Sequence, residues 1–404
     1  MHDKTYCPMP FISLSVNPGN YISRCMMSTA NMGSIQKETY SNEKFQNLRQ
    51  NMLDGSWDEI GCSTCFNKER QEQLSQRLKW LKNQKHYLDD DGIYEQNLDI
   101  TRNKIYHLYM NFSNICNFKC RMCGPHYSNA WIPDYNKLVK NVEHEVPSVP
   151  PKQQIDVDNF LDEYGSELAD LRQIWITGGE PFIDDTLFDF FEKLTAYTDL
   201  KNIKVVVNTN ASRLDIDKLR KLKMLRSIAI NISVDSTGEL YTYMRGYNFR
   251  FEQLNEKINQ LKNLQLEQDN IVIGINGAFQ IYNILDIENF WLWGKEIANN
   301  KKSNWVEHRV LSWPKQIQAR HASKKIKKRS KKMIKSLIDQ DPNYDHNHYL
   351  EEILKELEKP SDPSQVKKFY EWNSALDDIR SENFSEVCSE IDHAWQEEIN
   401  DTMV

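Results

Sequence analysis

The chain has 404 residues, 39% of them hydrophobic and 27% charged, with a formal net charge of -7. This is the balance of a soluble globular chain of two or three domains, long enough for a sizeable core. It argues against a general nucleic-acid binder, which carries a basic surplus, and no run approaches the roughly 20 apolar residues of a membrane span.

The N-terminal stretch Met1-His2-Asp3-Lys4 lacks the basic-then-apolar pattern of a signal peptide, so we expect a cytoplasmic protein. Seven of the eight cysteines fall in the first third of the chain, in metal-ligand spacings rather than a disulfide framework. The first four are Cys7, Cys25, Cys62 and Cys65. With a C-x2-C knuckle and two outlying thiols they make a full tetrahedral set, usable by zinc or by a 4Fe-4S cluster.

From about residue 104 short β-branched runs alternate with helical stretches. Six strands are predicted, over 105–112, 172–177, 203–209, 228–234, 271–279 and 305–311. Between them, 185–197 and 251–264 carry apolar residues at helical spacing. The alternation predicts a parallel sheet covered by helices, either an incomplete (β/α)6 barrel or a six-stranded doubly wound sheet. In both, the working end lies at the C-terminal ends of the strands.

After the first strand comes Cys116-Asn117-Phe118-Lys119-Cys120-Arg121-Met122-Cys123. Three thiols leave one metal coordination position for something else. A zinc knuckle that borrows a distant ligand is the alternative. Residues 133–155, with four prolines, are expected to form a long irregular excursion. The second strand ends in Thr177-Gly178-Gly179-Glu180-Pro181. Its glycines would let backbone approach a ligand closely, and Glu180 offers an acceptor for a cationic amine. Polar pairs follow at two strand ends, Asn208 with Asn210 and Ser233 with Asp235, each sharing a face. Arg245 could grip a carboxylate bidentately. Asn283 lies past the fifth strand. Glu307 and His308 near the end of the sixth are expected at the surface, and no general base can be assigned.

Beyond 315 the chain predicts charged helices, with stripes at Leu350, Ile353, Leu354 and Leu357 and at Val366, Phe369, Tyr370 and Leu376. Lysine-rich 324–335 is expected to pack through Ile326, Met333 and Leu337 and to leave a solvated basic face. Cys388 is expected to be a small buried residue.

The C-x3-C-x2-C run after a strand, followed by Gly178-Gly179-Glu180-Pro181 at the end of the next, resembles the radical S-adenosylmethionine enzymes. The resemblance implies a partial (β/α)6 core. It implies that Cys116, Cys120 and Cys123 hold a 4Fe-4S cluster whose open iron is chelated by S-adenosylmethionine, cleaved by one electron to a 5'-deoxyadenosyl radical that abstracts a hydrogen atom. Gly178, Gly179, Glu180, Asn208, Ser233, Asp235, Arg245 and, against the adenine, Met122 would line the cofactor. No counterpart of the family's later Gly-x-Ile-x-Gly motif is found. Residues 7–77, with Glu69, Ser75 and Arg77 after the knuckle, resemble the auxiliary-cluster module called twitch, a short form of SPASM. It lies here before the core and has four cysteines where a full SPASM module has seven.

The expected organisation is an auxiliary-cluster domain at 1–100, a radical core at 101–314 and a helical extension at 315–404. The expected substrate is a peptide or small molecule, with an electron donor such as flavodoxin or ferredoxin and no membrane or nucleic-acid partner. Dehydrogenation of a sugar or alcohol is one alternative. A non-catalytic iron-sulfur or zinc scaffold is another.

Overall fold

The computed structural model describes residues 6–28, 30–55, 59–70, 74–82, 100–101, 104–141, 152–246, 249–301 and 303–402. Among the described residues nine strands form one sheet, in the order β3 (Asn31–Ser34), β2 (Tyr21–Ser23), β1 (Ser13–Asn17) and then β4 to β9 in sequence. The six predicted strands are β4 (His107–Asn111), β5 (Gln173–Thr177), β6 (Lys204–Thr209), β7 (Ser227–Ser233), β8 (Ile271–Phe279) and β9 (Trp305–Val310). Each is parallel to the next. A doubly wound sheet reverses its strand order at a switch point, whereas the core run from β4 to β9 keeps one direction throughout. Every crossover therefore falls on one side, and the sheet curls into a partial (β/α)6 barrel with a helical C-terminal region.

Burial along β6 shows how the sequence does this. Val205, Val207 and Thr209 are buried under the helices, while Lys204, Val206 and Asn208 on the other face are only partly buried. The helices Thr186–Leu194, Phe251–Glu267 and Ile287–Ala298 cover the outer face with stripes such as Leu187, Phe190, Phe191 and Leu194.

Three strands were not anticipated. β1 (Ser13–Asn17) runs parallel to β4, pairing Ser13 with His107 and Ser15 with Tyr109, and β2 (Tyr21–Ser23) and β3 (Asn31–Ser34) follow antiparallel. The N-terminal segment thus continues the sheet of the core. Part of the predicted excursion is also regular, since Ile132–Asn141 is a helix. Pro133 sits in its first turn, where a missing N–H costs nothing, and Leu138 is buried. Residues 142–151 lie outside the described residues.

Beyond the barrel, Lys324–Gln340, Asn347–Glu358, Pro363–Arg380 and Ser389–Thr402 are helices. Ile326, Ile334 and Leu337 bury one side of the first, and Arg329 and Lys325 pair with Glu390 and Glu397. Cys388 is buried. Among the described residues no helix is long and apolar enough to cross a membrane.

Candidate metal and cofactor site

Cys116, Cys120 and Cys123 follow the C-terminal end of β4 in a loop held mainly by its own backbone. Cys123 N donates to Cys120 O at 2.9 Å and Cys116 N to Asn129 Oδ1 at 3.1 Å. Phe118 N donates to Cys116 Sγ at 3.4 Å. Burial first, and then the charge of the neighbouring Cys120, push the Cys116 and Cys123 thiols up to about 12. Burial also raises Cys120, which the Arg245 guanidinium partly offsets. Such thiols stay neutral when bare and ionise together only around a cation. That is the chemistry of a metal-thiolate set.

β5 ends against this loop. Gly179 N donates to Ser113 O at 2.6 Å and Glu180 N to Ile115 O at 2.8 Å. A Cβ on Gly179 would lie 2.0 Å from Ile115 O, and one on Gly178, whose φ is +122°, 2.4 Å from Asn111 Oδ1. The glycines, expected to admit a ligand, are thus required by contact with the cysteine loop itself. Glu180 is buried. Its Oε1 accepts from Thr209 Oγ1 at 2.6 Å and Phe182 N at 3.2 Å, and its Oε2 from Asn210 N at 2.7 Å. Burial raises its pKa, while these hydrogen bonds and Arg245 pull it back. Of about four acceptor positions on a carboxylate, one remains for a cationic amine.

Asn208 accepts from Asn231 Nδ2 at 2.7 Å. Asn210 donates through Nδ2 to Asn117 Oδ1 at 3.1 Å and lies 3.9 Å from Cys116 Sγ. Ser233 ends β7, paired in register with Asn276. Asp235 accepts from Ala278 N at 2.8 Å and ion-pairs with Arg245, whose carbonyl accepts from Cys120 Sγ at 3.5 Å. Arg245 was expected to grip a free carboxylate; the structure gives one side of its guanidinium to Asp235 and leaves Nε without a partner. Ser236 Oγ and Tyr241 Oη are likewise buried and unpartnered. Met122 is half-buried beside Cys123. Unpaired polar atoms beside a thiol trio, with an acceptor left on Glu180, fit a cofactor that carries amine, carboxylate and hydroxyl groups.

Asn283 is a brace rather than a cofactor contact, since its Nδ2 donates to the carbonyls of Asp235 (2.6 Å) and Ala278 (2.9 Å). Glu307 and His308, expected at the surface, are both buried. Glu307 accepts from Tyr349 Oη at 2.7 Å, and His308 is held neutral by burial, with a pKa pushed down to about 3. Consecutive strand residues face opposite ways, and both faces of β9 are covered here: Phe290 packs on His308 and Tyr349 of the helix Asn347–Glu358 reaches Glu307.

Cys62 and Cys65 lie on the helix Glu59–Arg70, Cys25 follows β2 and Cys7 precedes the single turn Met9–Ile12. The charges of Cys25, Cys62 and Cys65 all act on Cys7. Burial raises Cys25 to about 12 and also raises Cys65. Arg77 braces the group: its Nη1 donates to Tyr6 O at 2.9 Å, beside Cys7, and it ion-pairs with Glu69, which also accepts from Ser75. Among the described residues no group of three or more His, Cys, Asp or Glu side chains is arranged to hold a metal ion. All eight cysteines are free thiols.

The features that sequence reasoning missed are Arg121, Thr209 and the acidic residues Asp377 and Glu382 that meet Arg121. Asp377 lies in the run Leu376-Asp377-Asp378-Ile379-Arg380, but nothing local pairs it or Glu382 with Arg121.

Residues 110–278 match the model of the Radical SAM superfamily, a family whose cofactors are a 4Fe-4S cluster and S-adenosylmethionine. The chain is 27% identical over 173 residues to the GTP 3',8-cyclase of Mannheimia succiniciproducens, covering 40% of this chain and 45% of that one. It is 25% identical over 190 residues to the Fe-coproporphyrin III synthase of Methanosarcina barkeri, covering 47% and 41%. It thus spans under half the length of these two curated relatives. A solved structure described as native anSMEcpe with bound AdoMet overlaps 58% of this chain and 60% of its own at 15% identity, with a TM-score of 0.41.

Proposed function

We propose that the protein is a radical S-adenosylmethionine enzyme that takes a hydrogen atom from a peptide or protein substrate in the cytoplasm, with a flavodoxin- or ferredoxin-like donor supplying the electron. The observation that carries this reading is the clustering of three free cysteines, Cys120 buried and Cys116 and Cys123 half-buried, with Glu180, Asp235 and Arg245 beyond the ends of β4, β5 and β7. Cys116, Cys120 and Cys123 would hold the cluster. When bound, the cluster and S-adenosylmethionine supply one-electron cleavage to a 5'-deoxyadenosyl radical.

The chain's own part is orientation and exclusion of water. Glu180 would accept from the methionyl ammonium through its remaining lone pair. The unpartnered Nε of Arg245 would donate to the cofactor carboxylate, with Asp235 fixing the guanidinium plane. Asn208 and Ser233 would meet the ribose, and half-buried Met122 the adenine. Cys7, Cys25, Cys62 and Cys65 would hold one auxiliary 4Fe-4S cluster in electron transfer or support, because four protein thiolates leave no iron for substrate. The peptide substrate rests on the resemblance of this group to auxiliary modules of peptide-modifying enzymes. The curated relatives are named for a nucleotide cyclisation and a porphyrin synthesis, so a small molecule is the competing substrate class.

The test is anaerobic reconstitution with iron, sulfide, dithionite and S-adenosylmethionine. We expect roughly eight irons per chain and 5'-deoxyadenosine, abolished by Cys116→Ala. No 5'-deoxyadenosine from the unaltered protein overturns the reading, and zinc without iron supports a scaffold instead. Transfer of deuterium from labelled peptides into 5'-deoxyadenosine decides the substrate class.

A further inference from the structure

Arg121, between Cys120 and Met122, is fully buried. A guanidinium has five N–H donors and cannot shed its charge, so its burial demands partners. Nη1 donates to Asn373 Oδ1 at 2.8 Å, Nε donates to the Tyr243 carbonyl at 3.2 Å, and Nη2 ion-pairs with Asp377 and Glu382. The guanidinium lies 3.6 Å from the centre of the Tyr243 ring. Asp377 in turn accepts from Tyr243 Oη at 3.1 Å, Asn373 Nδ2 at 3.1 Å and Phe384 N at 2.7 Å. The end of the helix Pro363–Arg380 and the turn after it are therefore organised around one side chain of the cysteine loop.

A second tie lies beside it. Trp131 Nε1 donates to Cys120 O at 2.9 Å. Trp372 stacks on Trp131 at 6.3 Å and Arg380 lies 4.5 Å over its ring, with Arg380 Nε 2.9 Å from Asp134. One tie ends on Arg121 and the other on Cys120, and both come from the same C-terminal helix. Residues 114–128 form no helix or strand of their own, so the loop takes its shape from such contacts with rigid elements, the helix Gly238–Arg245 among them through Arg121 N and Met244 O (2.9 Å).

We propose that Arg121 is a positioning residue and that the helix Pro363–Arg380 is a latch holding Cys120 and Met122 in the shape that receives the cluster. Without its carboxylates the Arg121 charge would stand bare in the interior, and the loop would have to move to solvate it. The effect on the cluster rests on the proposed function; the latch itself does not.

The test uses full-length protein carrying Asp377→Asn with Glu382→Gln, both outside the loop. In metal-free protein we expect amide exchange over 116–124 to quicken by about tenfold or more while β5 to β8 stay protected. After reconstitution we expect most of the iron at this site, and the electron paramagnetic resonance change on adding S-adenosylmethionine, to be lost while the auxiliary iron is kept. Unchanged exchange with unchanged iron overturns the proposal. If the pair lowers protection throughout the barrel, Glu382→Gln alone is read against the same outcomes. Faster loop exchange in a protein whose unaltered form takes up no iron overturns the cluster reading and leaves the latch standing.

Discussion

The backbone amide of Asn210 donates to Glu180 Oε2 at 2.7 Å while its side chain lies 3.9 Å from Cys116 Sγ. One residue past the end of β6 therefore ties the carboxylate that ends β5 to the first cysteine of the loop after β4. Glu180→Ala removes the acceptor of Asn210 N, Thr209 Oγ1 and Phe182 N together. Buried donors left unpaired cost about 1–3 kcal/mol each, so we expect a loss of several kcal/mol in chemical denaturation. Glu180→Gln keeps shape and one acceptor oxygen but lacks the charge. It should retain most of the stability while S-adenosylmethionine binding in equilibrium dialysis weakens at least tenfold; equal losses in both quantities would show Glu180 to be structural alone.

Gly179→Ala tests the contact between β5 and the cysteine loop. Its Cβ would meet Ile115 O at 2.0 Å and Ile115 C at 2.4 Å, both backbone atoms that cannot turn aside. We expect about 2–4 kcal/mol of destabilisation and loss of iron uptake. Gly238→Ala is the control. Gly238 has φ +55° but open space around its Cβ position, so it should lose only about 1–2 kcal/mol and keep its iron. Gly179, unlike Gly238, has no positive φ, so equal loss of iron in the two variants would show that general destabilisation, not the loop contact, sets the effect.

Arg77 links the two sides of the N-terminal cysteine group, donating to Tyr6 O beside Cys7 and pairing with Glu69 on the helix of Cys62 and Cys65. Arg77→Met leaves Glu69 half-buried with Ser75 but without its cationic partner. Removing one partner of a buried pair costs about 3–5 kcal/mol, a value lowered here by the partial exposure of Glu69. We expect metal per chain to fall by about four irons, with the Cys116 site intact. Loss of both metal sites, or of neither, would refute an independent auxiliary site.

Much of this was legible in the sequence because it depends on local pattern. The six core strands follow from β-branched runs between helical stripes, and the cysteine spacing with Gly178-Gly179-Glu180-Pro181 located the strand ends that converge. What stayed hidden depends on pairing at a distance. β1 has only five residues, and nothing local says that Ser13 pairs with His107. Arg121 looks like a surface arginine until Asp377 and Glu382, more than 250 positions later, are brought to it. Glu307 and His308 were misplaced because both faces of β9 are covered, His308 by Phe290 and Glu307 by Tyr349 of the C-terminal helices, a packing that no local pattern encodes.

His107 offers a pH test remote from the thiols. It sits on β4, buried, with neither ring nitrogen hydrogen-bonded and the Trp80 ring edge-on at 4.9 Å. Burial pushes its pKa down to about 3 from an ordinary 6.5. Above pH 6.5 the folded and unfolded chains are both neutral at this position. As pH falls through 6.5 the unfolded chain takes up a proton that the folded chain refuses until about 3, so stability drains away across that window. At pH 5 the drain from this one residue is about 2 kcal/mol. His107→Leu, similar in volume and without a proton to bind, should therefore stabilise the protein by about that much more at pH 5 than at pH 8, read as urea midpoints at the two values. An equal gain at both would mean that His107 titrates alike in the folded and unfolded chains, its burial being relieved before unfolding.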